Sequence, residues 1–187
     1  MGFTKEELAA FAGKTVDDLL GPHVRLLFVG INPGLWTAAT NTHFCHPSNR
    51  FYPALRKAGL IDWTIDTSVG MSAEERERLE RAGIGITNLV PRATVRASDL
   101  DSAELRQGRA RVEAVVAEID PVVTAVAGLT AYRTAFDRPR AVLGRQPEPI
   151  GRSRLWVVPN PSGLNAHETV DSLGAWYRRA GEDAGLL

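Results

Sequence analysis

Cysteine is nearly missing from this sequence. Cys45 stands alone, so no intrachain disulfide can form. A cysteine-built zinc cage or iron–sulfur cluster is excluded for the same reason. Net charge is missing too: 22 Lys and Arg balance 22 Asp and Glu. That balance argues against a protein that coats polyanions, yet it leaves room for a DNA enzyme touching a few phosphates. Lysine is scarce, with only Lys5, Lys14 and Lys57. The other basic residues are arginines, which suit bidentate phosphate contact; GC-rich coding favours them as well. Long apolar runs are absent. The longest, over 121–129, is interrupted by Thr124 and is far too short to span a bilayer. The opening stretch carries Lys5, Glu6 and Glu7 and lacks the basic-then-apolar order of a signal peptide. A soluble, cytoplasmic protein is expected, nucleoid-associated if it works on DNA. No internal repeat or low-complexity tract is visible.

What is present is a chain of 187 residues that is 44% hydrophobic. One domain over 1–187 with a sizeable core follows from those figures. Strand and helix patterns alternate along it. Thr4 and Glu7 form a capping box and predict a helix over 4–11, in an N-terminal helical extension of residues 1–21. A buried strand is expected over 24–29, then a long polar loop over 30–49, rich in Gly, Pro, Asn and Thr. A loop that long in a compact domain is usually functional. Helices are expected over 48–59 with Gly59 as the stop, over 73–82 behind the Ser72 and Glu75 capping box, over 102–119, over 130–136 and over 169–180. Strands are expected over 85–90, 122–127 and 155–158. The 136–154 stretch is irregular, with room for a short strand near 141–143 or an edge hairpin. Strands separated by helices predict a mostly parallel sheet with helices on both faces. In such sheets ligands bind beyond the carboxyl ends of the strands.

Two motifs sit at such ends. Gly30-Ile31-Asn32-Pro33-Gly34-Leu35 follows the first strand, and Asn160-Pro161-Ser162-Gly163-Leu164-Asn165 follows the last. Both place Asn-Pro at a strand exit, on one edge of the sheet. Asn is a neutral amide that cannot act as a strong base, but it can orient a water or read a base edge. Asn-Pro-Gly is also ordinary turn chemistry. The occurrence of the pair on one edge is what favours function.

These residues resemble the mismatch-specific uracil/thymine-DNA glycosylases, the bacterial branch of the uracil-DNA glycosylase superfamily. The likeness also includes Phe44-Cys45-His46-Pro47-Ser48-Asn49-Arg50-Phe51-Tyr52, Gly85-Ile86-Thr87-Asn88-Leu89-Val90 and Arg92-Ala93-Thr94. It runs from about Val24 to Tyr177, and residues 1–21 add nothing to it. The resemblance implies a three-layer α/β/α sandwich around a central four-stranded, mostly parallel β-sheet. It implies a monofunctional glycosylase of base-excision repair, a monomer that hydrolyses the N-glycosidic bond of uracil in mismatched duplex DNA after flipping the base. Thymine and modified pyrimidines are further possible substrates. No metal and no cofactor are implied.

Residue by residue, the resemblance makes Asn32 the catalytic group that positions the attacking water. Gly30, Ile31, Pro33, Gly34 and Asn160 shape the pocket, and Phe44 stacks on the pyrimidine. Gly163 and Leu164 match the wedge that fills the space left by the base, with Ser162, Asn165 and Arg92 as further DNA contacts. Ser162 would hold phosphate through its hydroxyl or a helix N-terminus behind it. From the residues alone, Phe44 reads equally as a core side chain, and Leu164 reads first as a core leucine at a helix N-terminus. His46 is read as structural. Asn88 stands where some relatives carry Lys or Asp and supplies no charge. Asn165-Ala166-His167 lacks the Arg with which relatives read the widowed guanine, leaving Asn165 or His167 to substitute. Five arginines against Glu148 over 138–154 form a candidate phosphate-tracking strip. Three other readings stay open: a lesion- or abasic-site-binding protein with little turnover, an unrelated α/β enzyme using Gly30 to Gly34 as a phosphate loop, and a structural α/β domain with fortuitous turns, which the joint motif match disfavours. The absence of Gly-Lys-Ser/Thr and of Gly-x-Gly-x-x-Gly argues against the second.

Overall fold

Every central strand carries apolar side chains on both faces, the pattern of a sheet covered on both sides. The computed structural model describes residues 2–187. Its strands are β1 (Leu26–Gly30), β2 (Ile84–Asn88), β3 (Val123–Ala127), β4 (Gly144–Arg145) and β5 (Arg154–Val158), in the order β2-β1-β3-β5-β4. β1 pairs in parallel with β2 and β3, and β3 with β5; only β4 is antiparallel, against β5. The sheet therefore has five strands, not the expected four. The extra strand is two residues long, at the outer edge, just after the 141–143 stretch. It needs no crossover helix because it joins β5 directly through a hairpin.

The helices are α1 (Lys5–Ala9), α2 (Leu35–Thr40), α3 (Phe51–Ala58), α4 (Ala73–Arg81), α5 (Ser102–Ile119), α6 (Leu129–Ala135) and α7 (Val170–Asp183). Leu26, Phe28, Ile84, Ile86, Val123, Ala125, Trp156 and Val158 point to one face, where α3, α4 and α7 cover them. Leu27, Val29, Val126, Leu155 and Val157 point to the other, under α5 and α6. The three-layer α/β/α sandwich follows.

Two expectations change. The 30–49 stretch is not all loop, since it holds α2. Gly34 caps α2 without a side-chain hydrogen bond, so the capping signal that reveals most helix starts is missing. The N-terminal stretch is not simply a helical extension. After α1 it lies along the outer edge of β2. Leu19 exchanges both backbone hydrogen bonds with Ile86 at 2.9 and 2.8 Å, and Gly13 and Lys14 bond to Ala93. That cover occupies an edge otherwise open to strand addition.

Candidate active site

The chain leaves β1, forms β2 on one side of it, then crosses to form β3 on the other. Such a switch point opens a crevice at the carboxyl ends of the strands. Gly30 ends β1 beside Asn88, its partner at the end of β2. A Cβ on Gly30 would strike Asn88 Oδ1 and stand 3.1 Å from Phe44 Cζ. Only glycine leaves this floor clear, so Gly30, Phe44 and Asn88 share one small space.

Asn32 is held by its nitrogen. Nδ2 donates to the carbonyls of Pro33 and Arg92, both at 3.1 Å, and to Thr94 Oγ1 at 2.7 Å. The Thr94 hydroxyl donates its own hydrogen to the Arg96 carbonyl at 2.7 Å, so toward Asn32 it only accepts. Three acceptors around Nδ2 fix which way the amide faces. No protein group among the described residues donates to Oδ1, which is free to accept from a water or ligand.

Phe44 adopts a left-handed backbone, φ 55°, a conformation that costs energy in a bulky residue. Its ring stacks on Phe51 at 4.1 Å between centroids and 22° between planes. Phe51 is fully buried, whereas Phe44 is half-buried. One ring face rests on the core and the residue keeps exposed surface.

Behind the floor lies a contact that the sequence did not single out. Asn88 Nδ2 is 3.0 Å from His43 Nδ1, and His43 Nε2 is 2.9 Å from the Asp17 carbonyl. Both side chains are buried. Burial pushes the His43 pKa down to about 4; the Asp17 carbonyl and Asp18 oppose the shift, while Arg76 and Arg111 add to it. His43 is neutral at neutral pH. The sequence marks Asn88 only for the charge it lacks and His43 not at all, and their meeting depends on how the chain folds.

The second motif forms a loop fixed by its own side chains. Asn160 Oδ1 accepts from Ser162 N at 3.0 Å, and Asn165 Nδ2 donates to the Asn160 carbonyl at 3.0 Å. Asn165 Oδ1 accepts from His167 N at 3.2 Å. Both ends of Asn165 thus serve the loop. Arg50, also missed by sequence, clamps it from below: its guanidinium donates to the carbonyls of Ser162, Asn165 and Glu168. Gly163 sits so close to Ser48 that a Cβ would lie 2.7 Å from the Ser48 carbonyl oxygen. Leu164 projects from this support with 89% of its surface exposed, so it is not a core residue. α7 starts only at Val170; the helix start that meets this motif is that of α3, whose N-cap residue Arg50 donates its N–H to the Pro161 carbonyl at 3.0 Å.

Other expected site residues lie elsewhere or are engaged. The Ile31 side chain turns into the α5 and α6 core, with Cδ1 3.1 Å from a Cβ position on Gly128. Its carbonyl accepts from Val90 N at 2.9 Å. Pro33 is buried and its carbonyl accepts from Thr94 N at 3.1 Å. Gly34 is exposed with open space around it. The Arg92 guanidinium makes a two-pronged ion pair with Glu104, which draws the Glu104 pKa down to about 2. His46 Nδ1 is 2.8 Å from Ser48 Oγ, in keeping with a structural part. In the 138–154 strip, Arg138 pairs with Glu148, Arg145 and Arg154 with Asp183, and Arg152 with Asp120. Arg152 and Arg154 stand at the amino end of β5, opposite the second motif. Four of the strip's five arginines are thus engaged by three carboxylates. A concavity of about 420 Å³, lined by Glu113, Asp120, Ile150 and Arg152 among others, opens at that far end of the sheet.

Residues 18–181 match the sequence model of the uracil DNA glycosylase superfamily. The chain belongs to that superfamily. Membership makes it a DNA glycosylase, acting on uracil by hydrolysis of the N-glycosyl bond, with DNA as its partner. The fold is similar to the solution NMR structure of a candidate uracil DNA glycosylase from Methanosarcina acetivorans, at a TM-score of 0.55 and 15% identity, over 90% of this chain and 98% of that one.

For this glycosylase, the arrangement around Asn32 defines what chemistry is on offer. A neutral amide oxygen accepts a hydrogen from water but takes no proton from it. An aromatic ring and a buried amide stand at the floor, and a bare leucine stands on a rigid loop. Among the described residues, no helix is long and apolar enough to cross a membrane.

Proposed function

We propose that the enzyme excises uracil from mispaired positions in duplex DNA, with G·U as the main substrate and thymine as a slower one. Leu164 enters the stack as the base leaves it, since an apolar wedge replaces lost stacking. A mispaired base costs less to extrude, which supplies part of the selectivity. The base then lies against Phe44, where stacking on a ring contributes about 1–3 kcal/mol. Asn32 Oδ1 orients the water toward the sugar C1′. With no general base in this role, bond breaking leads, and the sugar gains positive character while uracil departs as an anion. Rates should therefore follow leaving-group quality. The single observation that carries this reading is the orientation of Asn32, anchored through Nδ2 and open at Oδ1.

The test uses a labelled duplex with one G·U pair, treated with alkali after incubation. Wild type should give alkali-dependent strand cleavage. Asn32→Ala should bind the duplex as wild type does and lose cleavage by about 100-fold or more, the scale of a lost positioning group. Tight binding without cleavage by wild type would favour a lesion-binding protein instead.

A further inference from the structure

We propose that Arg50 is a positioning residue that staples the turn carrying Leu164 and holds it in register with the floor of the base pocket. The inference deepens the excision reading above and rests on it, since Leu164 matters only where a base is extruded.

Leu164 stands at the tip of a four-residue turn. Asn165 N closes it by donating to the Ser162 carbonyl at 2.9 Å, with Gly163 and Leu164 between. With 89% of its surface exposed, the Leu164 side chain gives the turn no core contact to rest on. Fixing such a backbone costs more than one hydrogen bond returns. Arg50 supplies the difference. Both hydrogens of Nη2 go to the two ends of the turn, the carbonyls of Ser162 and Asn165, the latter at 2.7 Å. Nη1 donates to the Glu168 carbonyl further along the loop. The Arg50 backbone N–H donates to the Pro161 carbonyl at 3.0 Å, just before the turn. One residue thus meets carbonyls before, within and after the turn. A guanidinium presents its hydrogens in a rigid planar fork suited to that; an ammonium is a point charge on a flexible stem.

The staple has a fixed seat. Arg50 is the N-cap of α3, and the next residue, Phe51, is fully buried. Phe51 lies under the Phe44 ring at 4.1 Å and edge-on to Phe28 of β1 at 5.1 Å. Asn49 Oδ1 accepts from Phe51 N at 2.9 Å and fixes the entry into the helix. The turn with Leu164 and the ring under Phe44 therefore hang on consecutive residues, whose Cα atoms are about 3.8 Å apart. A wedge fills the stack only if its tip meets the place that the base leaves, and a misplacement of about 1 Å is costly in rate. Arg50 acts on DNA through Leu164 and not by touching a phosphate.

Three measurements decide the matter together. Single-turnover excision from a G·U duplex should fall about tenfold in Arg50→Met, which keeps the apolar stem and removes the fork, and by a similar factor in Leu164→Ala. The double variant should be no slower than Leu164→Ala, because Arg50 acts through Leu164. Arg50→Lys keeps the charge without the fork and should stay as slow as Arg50→Met; it carries the same comparisons if Arg50→Met does not fold. Binding of the G·U duplex to Asn32→Ala should keep its salt slope when Arg50→Met is added, since no phosphate contact is lost. Nitrogen-15 relaxation of the DNA-free protein should show lower order parameters for the 163–165 amides in the Arg50 variants, with those of β1 and α3 unchanged. Losses that multiply in the double variant, a wild-type rate in Arg50→Lys, a salt slope less steep by about one, or a loop as ordered as in wild type would each overturn the proposal. A wild type inactive on uracil would sink the function proposed above and the role of the wedge with it. The relaxation readout does not depend on activity and separates the two failures.

Discussion

At Asn32 a single amide faces two directions with opposite requirements. Its nitrogen meets three acceptors and its oxygen meets none of the protein's donors. Asn32→Asp therefore should not convert the enzyme into one with a general base. A carboxylate would face two carbonyl oxygens and a hydroxyl whose hydrogen is already given to Arg96. Its pKa should rise, and the variant should lose about 1–3 kcal/mol from the unmet contacts when ionised. Thermal melts of Asn32→Asp against pH should show this loss growing as pH rises through the raised pKa. A variant as stable as wild type at every pH would show the anchoring to be weaker than the geometry indicates. His43 gives the opposite dependence in wild type. Its pKa drops from 6.5 to about 4 on folding. The unfolded chain then binds the extra proton, so stability is full above pH 6.5 and declines as pH falls toward 4. A shift of that size corresponds to a few kcal/mol. His43→Asn, which does not titrate, should show a visibly flatter stability profile across that window.

At the scale of the element, the loop after β5 works because it is held from two sides. Arg50 grips three of its carbonyls, and Ser48 packs under Gly163. Gly163→Ala should push the loop off Ser48 and misplace Leu164, while the core stays intact. The expected result is at least tenfold weaker excision from duplex DNA with little change in melting temperature, since a misplaced positioning group is costly in rate. Leu164→Ala should act similarly with even less effect on stability, because the side chain is already in solvent. Much of this element was legible in advance. The motif announced a turn at a strand exit, and the leucine in it had a role to expect. Its support was not legible, because Arg50 and Ser48 lie more than a hundred positions away in sequence, and nothing local marks an arginine as a carbonyl clamp. Asn88 was noted for the charge it lacks, but its contact with His43, 45 positions away, was hidden in a similar way. Periodicity found β2 but ran it two residues past its end at Asn88, and the identity of its neighbour depends on the register of an N-terminal stretch with no strand pattern of its own. Likewise α2 escaped because Gly34 offers no capping side chain, and the strip over 138–154 misled because its acidic partners, Asp120 and Asp183, come from distant helices.

For the whole molecule, the equal totals of acid and base say little until the pairs are counted. Eleven of the 22 basic side chains sit in ion pairs with acids. Over 138–154 four of the five arginines are in ion pairs, two of them sharing Asp183, and Arg92 is paired with Glu104. Near the carboxyl edge of the sheet, Lys14, Arg76 and Arg96 are cations outside ion pairs, whereas Arg50 is occupied by three loop carbonyls. Three phosphate contacts predict a shallow salt dependence, with log K falling against log salt at a slope of roughly −3. Arg96 is exposed, two residues past Thr94, and its removal should make the slope less steep by about one. Arg145→Ala should leave it unchanged, because that side chain lies on the far edge strand and faces Asp183. Binding of a G·U duplex to Asn32→Ala, which avoids turnover, measures all three slopes. A wild-type slope near twice the expected value, reduced by Arg145→Ala, would place DNA along β4 and β5 and overturn the orientation argued from Leu164. A slope near −3 that responds to Arg96 alone would keep the duplex over the ends of β1, β2 and β5, where the wedge and the pocket are.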